Sequence, residues 1–197
     1  MKRLFTALAL CLCAWAVLAG PFEDGVTAYE RGDYAAVLRL WRPLADQGNA
    51  SAQYNLGVMY SRGDGVPQDY AEALKWYRKA ADQGEASAQY NLGFMYHNGQ
   101  GVPQDYVEAH KWYRKAADQG HASAQLNLGV MYDSGQGVPQ DYVASHQWLN
   151  LSAARATDKE TRDMAVSNRD IAAAKMTPAQ VAEAQKLARE WKPTTAP

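Results

Sequence analysis

Apolar and small residues recur along this chain at helical spacing, broken at regular intervals by short polar turns. From Asn49 onward the same pattern returns about every 36 residues. In its first half Ala52, Leu56 and Tyr60 fall at i, i+4 and i+8, with Gly57 beside Leu56, which predicts an amphipathic helix. A glycine inside a helix costs about 1 kcal/mol relative to alanine. Its return as Gly93 and Gly129 therefore predicts a second helix packed closely at that point. Gly63-Asp64-Gly65-Val66-Pro67-Gln68 is turn chemistry. Asp69, with Glu72 three residues on, opens a second helix as a capping-box variant; the pair returns as Asp105/Glu108 and lapses at Ala144. That helix carries Ala73, Trp76, Ala80 and Ala81, and Gly84 suits the position just past its end.

The repeat divides the chain into Asn49 to Gly84, Glu85 to Gly120 and His121 to Ala156. The first two units differ only at Asn49/Glu85, Val58/Phe94, Ser61/His97, Arg62/Asn98, Asp64/Gln100, Ala71/Val107 and Leu74/His110. An earlier half-unit, Tyr34 to Gly48, matches the second half of the pattern, with Ala45-Asp46-Gln47-Gly48 returning as Ala81-Asp82-Gln83-Gly84. One helix pair cannot bury its own apolar face, but stacked pairs can, and stability then approaches a sum of nearest-neighbour interfaces. Aromatics bury roughly 150–250 Å² each, so Trp76, Trp112 and Trp148, large against small Ala and Gly, are expected to dominate the core.

The string Ala52, Leu56, Gly57, Tyr60, Gly63, Gly65, Val66, Asp69, Ala73, Trp76, Tyr77, Lys79, Ala80, Ala81 and Gly84 resembles the Sel-1-like repeat, a relative of the tetratricopeptide repeat. The likeness covers Asn49 to about Ala154 and fades where Leu149-Asn150-Leu151-Ser152 replaces Tyr-Arg-Lys-Ala and Ala156 replaces the glycine. It implies an all-α fold, an α-solenoid of antiparallel helix pairs. Residues 20–48 form an N-terminal capping pair broken at Arg31-Gly32-Asp33, and residues 157–192 form C-terminal capping helices before a short tail at 193–197. Thr177-Pro178-Ala179-Gln180 opens the last helix with an N-cap, a first-position proline and a capping-box glutamine. Val181, Ala184, Ala188 and Trp191 are its apolar stripe, and Pro193 stops it.

Residues 1–19 stand apart from this pattern. Met1-Lys2-Arg3 and the apolar run Leu4 to Leu18, ending in small residues, have the layout of a secretory signal peptide. Cleavage after Ala19 is preferred, because cutting after Gly20 would place Pro21 beside the scissile bond. A retained anchor is the other reading, though the run is shorter than the ~20 residues a span needs. Leu10 and Leu12 precede Cys11 and Cys13 where a lipoprotein signal would have a small residue. Both cysteines lie in this segment, so the processed chain would enter an oxidising compartment, periplasmic or extracellular, without disulfides.

Candidate chemistry is sparse. A net charge of −1 offers no basic excess for a phosphate backbone, which argues against nucleic acid. His110 and His146 share one repeat position, and His97 and His121 sit in a turn and at a unit start; without an HExxH or Cys/His ligand set, no metal or cofactor is expected. The Gly-Asp-Gly and Gly-Gln-Gly loops lack the Lys-Ser/Thr of a phosphate loop and the ligand spacing of a calcium loop. Cysteine-rich relatives carry penicillin-binding or β-lactamase labels, but no Ser or Thr here is followed three residues later by Lys. Such an enzyme is the alternative to a non-enzymatic scaffold.

A surface is the better candidate. With Leu56 and Tyr60 facing inward, Tyr54, Asn55, Val58 and Arg62 turn away from the partner helix. Their equivalents are Tyr90, Asn91, Phe94 and Asn98, then Leu126, Asn127, Val130 and Ser134. In tetratricopeptide-like solenoids that side lines the concave groove. Apolar anchors beside an Asn row suit a protein or peptide partner. The competing explanation is that Tyr54 and Val58 pack between repeats while Asn55 bridges neighbouring helices. Self-association through the groove or a cap is a further reading.

Overall fold

A computed structural model describes residues 20–194. Residues 1–19, expected from the sequence to be a signal peptide and holding Cys11 and Cys13, and residues 195–197 lie outside the described residues. Within them the chain forms ten α-helices and no strand. They are α1 (Pro21–Glu30), α2 (Tyr34–Asp46), α3 (Ala50–Arg62), α4 (Tyr70–Asp82), α5 (Ala86–Asn98), α6 (Tyr106–Asp118), α7 (Ala122–Ser134), α8 (Tyr142–Arg155), α9 (Lys159–Ala173) and α10 (Pro178–Glu190). From α1 to α9 each helix packs on the next, and α10 returns to pack on α8. The result is an α-solenoid of helix pairs.

Local signals place the ends of each helix. Asn49 accepts from the Ala52 N–H at 2.9 Å to start α3, and Asp69 accepts from the Glu72 N–H at 3.0 Å to start α4. Gly63 closes α3 with φ +81°, a conformation open to glycine at little cost. The capping box expected at Asp69 is only half made: the Glu72 carboxylate turns to Lys75 Nζ at 2.9 Å instead of the Asp69 backbone. The box at α10 is complete, with Gln180 N–H donating to Thr177 Oγ1 at 3.3 Å and Thr177 N–H donating to Gln180 Oε1 at 2.9 Å.

The conserved geometry inside each pair rests on glycine. A Cβ at Gly57 would lie 2.6 Å from the Tyr77 ring, and one at Gly93 would lie 2.7 Å from the Tyr113 ring. The expected close approach is therefore real, but tyrosine rather than tryptophan fills the notch. In the third unit Leu149 takes that place over Gly129. Between units the second loop glycine does similar work. Gly101 has φ +68°, and a Cβ there would meet the Tyr70 carbonyl at 2.6 Å.

The cores span unit boundaries, two of them joining three successive helices and the largest adding α10 to α6, α7 and α8. Tyr77, Ala80 and Ala81 of α4 meet Leu92 and Met95 of α5 and Trp112 of α6. Likewise Val37, Trp41 and Ala45 of α2 meet Leu56 and Met59 of α3 and Trp76 of α4. The tryptophans thus close the module behind them, and Trp76, Trp112 and Trp148 are all buried. Cations cover them: Arg78 and Lys115 lie 5.6 and 4.0 Å from the Trp112 ring, and Arg42 and Lys79 lie 5.2 and 4.1 Å from Trp76. Such contacts gain strength when the cation is partly desolvated.

A column of buried glutamines runs beside these cores. Gln53, Gln89 and Gln125 each donate from Nε2 to a carbonyl at the end of the preceding unit, Ala45, Ala81 and Ala117, at 2.9, 3.1 and 3.0 Å. Gln83 donates to Gln53 Oε1 at 2.7 Å and Gln119 to Gln89 Oε1 at 2.8 Å. Arg155 stands at the next such position, and Gln125 Oε1 is buried without a partner.

The caps differ in kind. A Cβ at Gly25 would lie 2.2 Å from the Trp41 indole, so α1 and α2 form a contracted repeat with a shorter loop. At the other end α9 packs on α7 and α8, and Ala165 joins Leu126 and Leu149 in a small core. Ala184 and Ala188 of α10 are buried, and Trp191 meets Trp148 edge-on at 6.3 Å. Met164 and Ile171 of α9 face outward, 42% and 51% exposed.

Candidate functional site: two clefts between the first helices

Because α3, α5 and α7 are first helices of successive units, spaces open between their outward sides. The first, of about 320 Å³, lies between α3 and α5. Tyr54, Val58, Ser61 and Arg62 form one wall, Asn91 and Phe94 the other, and Tyr77 lies at its floor. The second, of about 180 Å³, lies one unit further on. Phe94, His97 and Asn98 of α5 face Asn127 and Val130 of α7, with Tyr113 beneath. Phe94 belongs to both clefts. It is 41% exposed, and Val130 is 37% exposed.

The first cleft is rich in polar groups. Tyr54 and Tyr77 pack with ring centroids 5.9 Å apart. Burial raises both phenol pKa values, Tyr77 to about 12; the nearby Asn91 amide opposes part of the rise at Tyr54, and Ser61, whose Oγ lies 3.2 Å from the Tyr77 hydroxyl, opposes part of it at Tyr77. Arg62 is exposed, and among the described residues no carboxylate lies within ion-pair distance of it. Asp64, two residues on, accepts a hydrogen bond from the Tyr29 hydroxyl at 2.5 Å.

The second cleft repeats this plan with other chemistry. The Asn127 amide, close to the Tyr90 and Tyr113 hydroxyls, offsets part of the rise that burial causes in their pKa values. His97 lies in α5 rather than in a turn, edge-on to Tyr106 at 5.1 Å. Burial lowers its pKa below the ordinary 6.5.

Of the residues expected on this face, Tyr54, Val58, Arg62, Asn91, Phe94, Asn98, Asn127 and Val130 line the clefts. Three do not fit a docking role. Leu126 is only 6% exposed, sealed against Leu149 and Ala165 by α9, and is core. Tyr90 is held by stacking on His121 at 4.7 Å and against Tyr113 at 5.8 Å. Asn55 is half-buried and lines neither cleft. Ser61, Tyr70, Tyr77, His97 and Tyr113 line the clefts but were not foreseen, because they come from second helices or from the flank of the first. The repeat itself could have found two of them, since Tyr77 and Tyr113 lie twenty residues after Gly57 and Gly93.

Among the described residues, no group of three or more His, Cys, Asp or Glu is placed to share a metal ion. No helix there is long and apolar enough to cross a membrane.

Stacked helix pairs with paired clefts on one side define an α-helical repeat protein. The Sel1 repeat model matches residues 50–85, 86–121 and 122–156, more than half of the chain. The chain belongs to the Sel1 repeat family. Similar solved structures share the fold. A Sel1 repeat protein from Oxalobacter formigenes is 34% identical with a TM-score of 0.66, over 85% of this chain and 74% of that one. A protective antigen present in uropathogenic Escherichia coli strains, displaying an SLR fold, is 29% identical with a TM-score of 0.60, over 87% of this chain. The match spans 44% of that antigen's length. No functionally curated protein matches the sequence. Sel1 repeat proteins are generally non-enzymatic scaffolds that mediate protein–protein interactions.

Proposed function

We propose that this protein is an exported, non-enzymatic adaptor that holds a protein or peptide segment in the clefts between α3, α5 and α7. The observation that carries this reading is Phe94, a large apolar side chain left 41% exposed as the shared wall of two clefts. An apolar anchor flanked by amides gives a bound segment both contact area and backbone partners.

The differences between the first two units support it. Val58/Phe94, Ser61/His97, Arg62/Asn98 and Asp64/Gln100 all cluster where the first helix ends, and most of them line the clefts. Drift on any exposed surface would have no such bias. Pro67, Gln68, Lys75, Lys79 and Asp82 are exposed as well, yet they are unchanged at Pro103, Gln104, Lys111, Lys115 and Asp118. Four of the seven differences fall at this end of the first helix, while Asn49/Glu85, Ala71/Val107 and Leu74/His110 lie outside the cleft walls; such a concentration at the walls is expected if each cleft contacts a different part of one partner.

Export to the periplasm or beyond rests on the signal layout of residues 1–19. Fractionation of cells expressing the full chain tests it: the processed protein belongs in the periplasmic or extracellular fraction, and a wholly cytoplasmic, unprocessed chain would refute export. For binding, pull-down from the compartment where the protein is found should recover a partner that Phe94→Ala loses while helicity is kept. Undiminished recovery by that variant would refute the cleft assignment.

A further inference from the structure

We infer that the two clefts read different features of one bound segment: the first takes an acidic side chain, and the second an apolar side chain close to it in sequence. This deepens the binding role proposed above and rests on it.

The first cleft combines one full positive charge with neutral hydroxyl and amide donors, and among the described residues no acid lines it. Tyr70 accepts from Gln68 Nε2 at 3.1 Å, leaving its own O–H free to donate. Asn91 brings an NH₂ to the opposite wall. Arg62 adds a full positive charge with five donors, in a fork that matches a carboxylate. Two acids lie near this cleft, and neither forms an ion pair with Arg62, which shares the neighbourhood of the Tyr29 hydroxyl with Asp64. Asp64 is engaged by Tyr29, and Glu85, which acts on Tyr54 through space, caps the Ser87 N–H at 3.3 Å.

At the position of Arg62 the second cleft has the neutral Asn98, whose Nδ2 donates to the Phe94 carbonyl at 2.9 Å. Its exposed walls are Phe94 and Val130. His97, the one imidazole there, is held toward its neutral form by burial. Charge is therefore matched in the first cleft and contact area in the second. Because Phe94 walls both, a segment crossing it would present the two features within a few residues of each other.

The test is selection of a peptide display library on the purified chain, with binding of individual peptides then measured by fluorescence anisotropy. Peptides are N-acetylated and C-amidated, and matched peptides have the acid replaced by Gln or the apolar residue by Ser. Enrichment of Asp or Glu near a Leu, Ile or Phe is expected, with Glu→Gln in the peptide weakening binding about tenfold, the usual scale for a charged hydrogen bond. Arg62→Gln in the protein should abolish that discrimination and spare the apolar preference, while Phe94→Ala should weaken every peptide. Selected peptides with no acidic preference, or a preference that survives Arg62→Gln, would overturn this inference and leave cleft binding intact. A preference that needs a free C-terminus would also overturn it. Failure to select any peptide would overturn it together with the cleft reading.

Discussion

The second and third units share a backbone plan but not a finish. In the second, Tyr113 fills the notch over Gly93, Gln119 completes the pair with Gln89, and Arg78 and Lys115 cover Trp112. In the third, Leu149 covers Gly129, Arg155 stands where the pairing glutamine would be, and Ser145 Oγ, His146 Nδ1 and Gln125 Oε1 are buried without partners. The second unit is built to be followed by a copy of itself. The third is built to be followed by α9 and α10, and the unpartnered Gln125 Oε1 marks where the glutamine pairing stops. A repeat array needs such a change at its end, because an unmodified last interface would stay open to further stacking.

Truncating the ring that closes a module should show the largest effect. Trp112→Ala is expected to cost about 3–5 kcal/mol, read as a shift in the urea midpoint of the helical signal. Next is the glycine notch. Gly93→Ala drives a methyl into the stiff Tyr113 ring and should cost about 1–3 kcal/mol. Gly129→Ala meets Leu149, which has rotamers to spare, so it should cost less than Gly93→Ala; equal losses would break the contrast between the two units.

The glutamine column gives a finer test. Gln89→Leu removes its own bond to Ala81 and its acceptor for Gln119, and should destabilise by about 1–3 kcal/mol. Gln125→Leu removes one bond and also an unpartnered buried oxygen, so its cost should be smaller. Paired denaturation curves under one condition would settle the order.

The smallest effect is on pH dependence. His146 is 3% exposed, and burial, with Arg169 next in importance, lowers its pKa below the ordinary 6.5, against a weaker opposing pull from Asp170. Folding therefore favours the neutral ring. The contribution is intact above about pH 6.5 and is lost as pH falls from there through the folded-state value, because the unfolded chain takes up the proton first. His97, His110 and His121 shift in the same direction. Stability should decline between pH 7 and 5, and His146→Leu should flatten part of that slope. An unchanged slope would contradict the burial assigned to this ring.

The solenoid was legible in the sequence because its determinants are local and repeated. Apolar spacing, Asn49 and Asp69 as caps, and the glycine after each second helix all act within a few residues. The break at Arg31-Gly32-Asp33 and the Thr177 capping box were readable for the same reason. What escaped depends on neighbours twenty or more residues away. A first-helix helical wheel cannot show that α9 seals Leu126, that His121 stacks on Tyr90, or that Gln53 reaches Gln83. Nor could it assign the notch to Tyr77 rather than Trp76, since adjacent residues on α4 face different modules. Of the residues expected at the binding face, Leu126 and Tyr90 lie outside the clefts because α9 and His121 pack on them.

The most direct test of contact through the clefts is site-specific photocrosslinking in the living cell. A photoreactive residue replaces Phe94 in one strain and Lys75, exposed on α4 away from both clefts, in another. A discrete crosslinked product at position 94 that is absent at position 75 is the predicted result. Equal products at both positions, or a product at 75 alone, would contradict it.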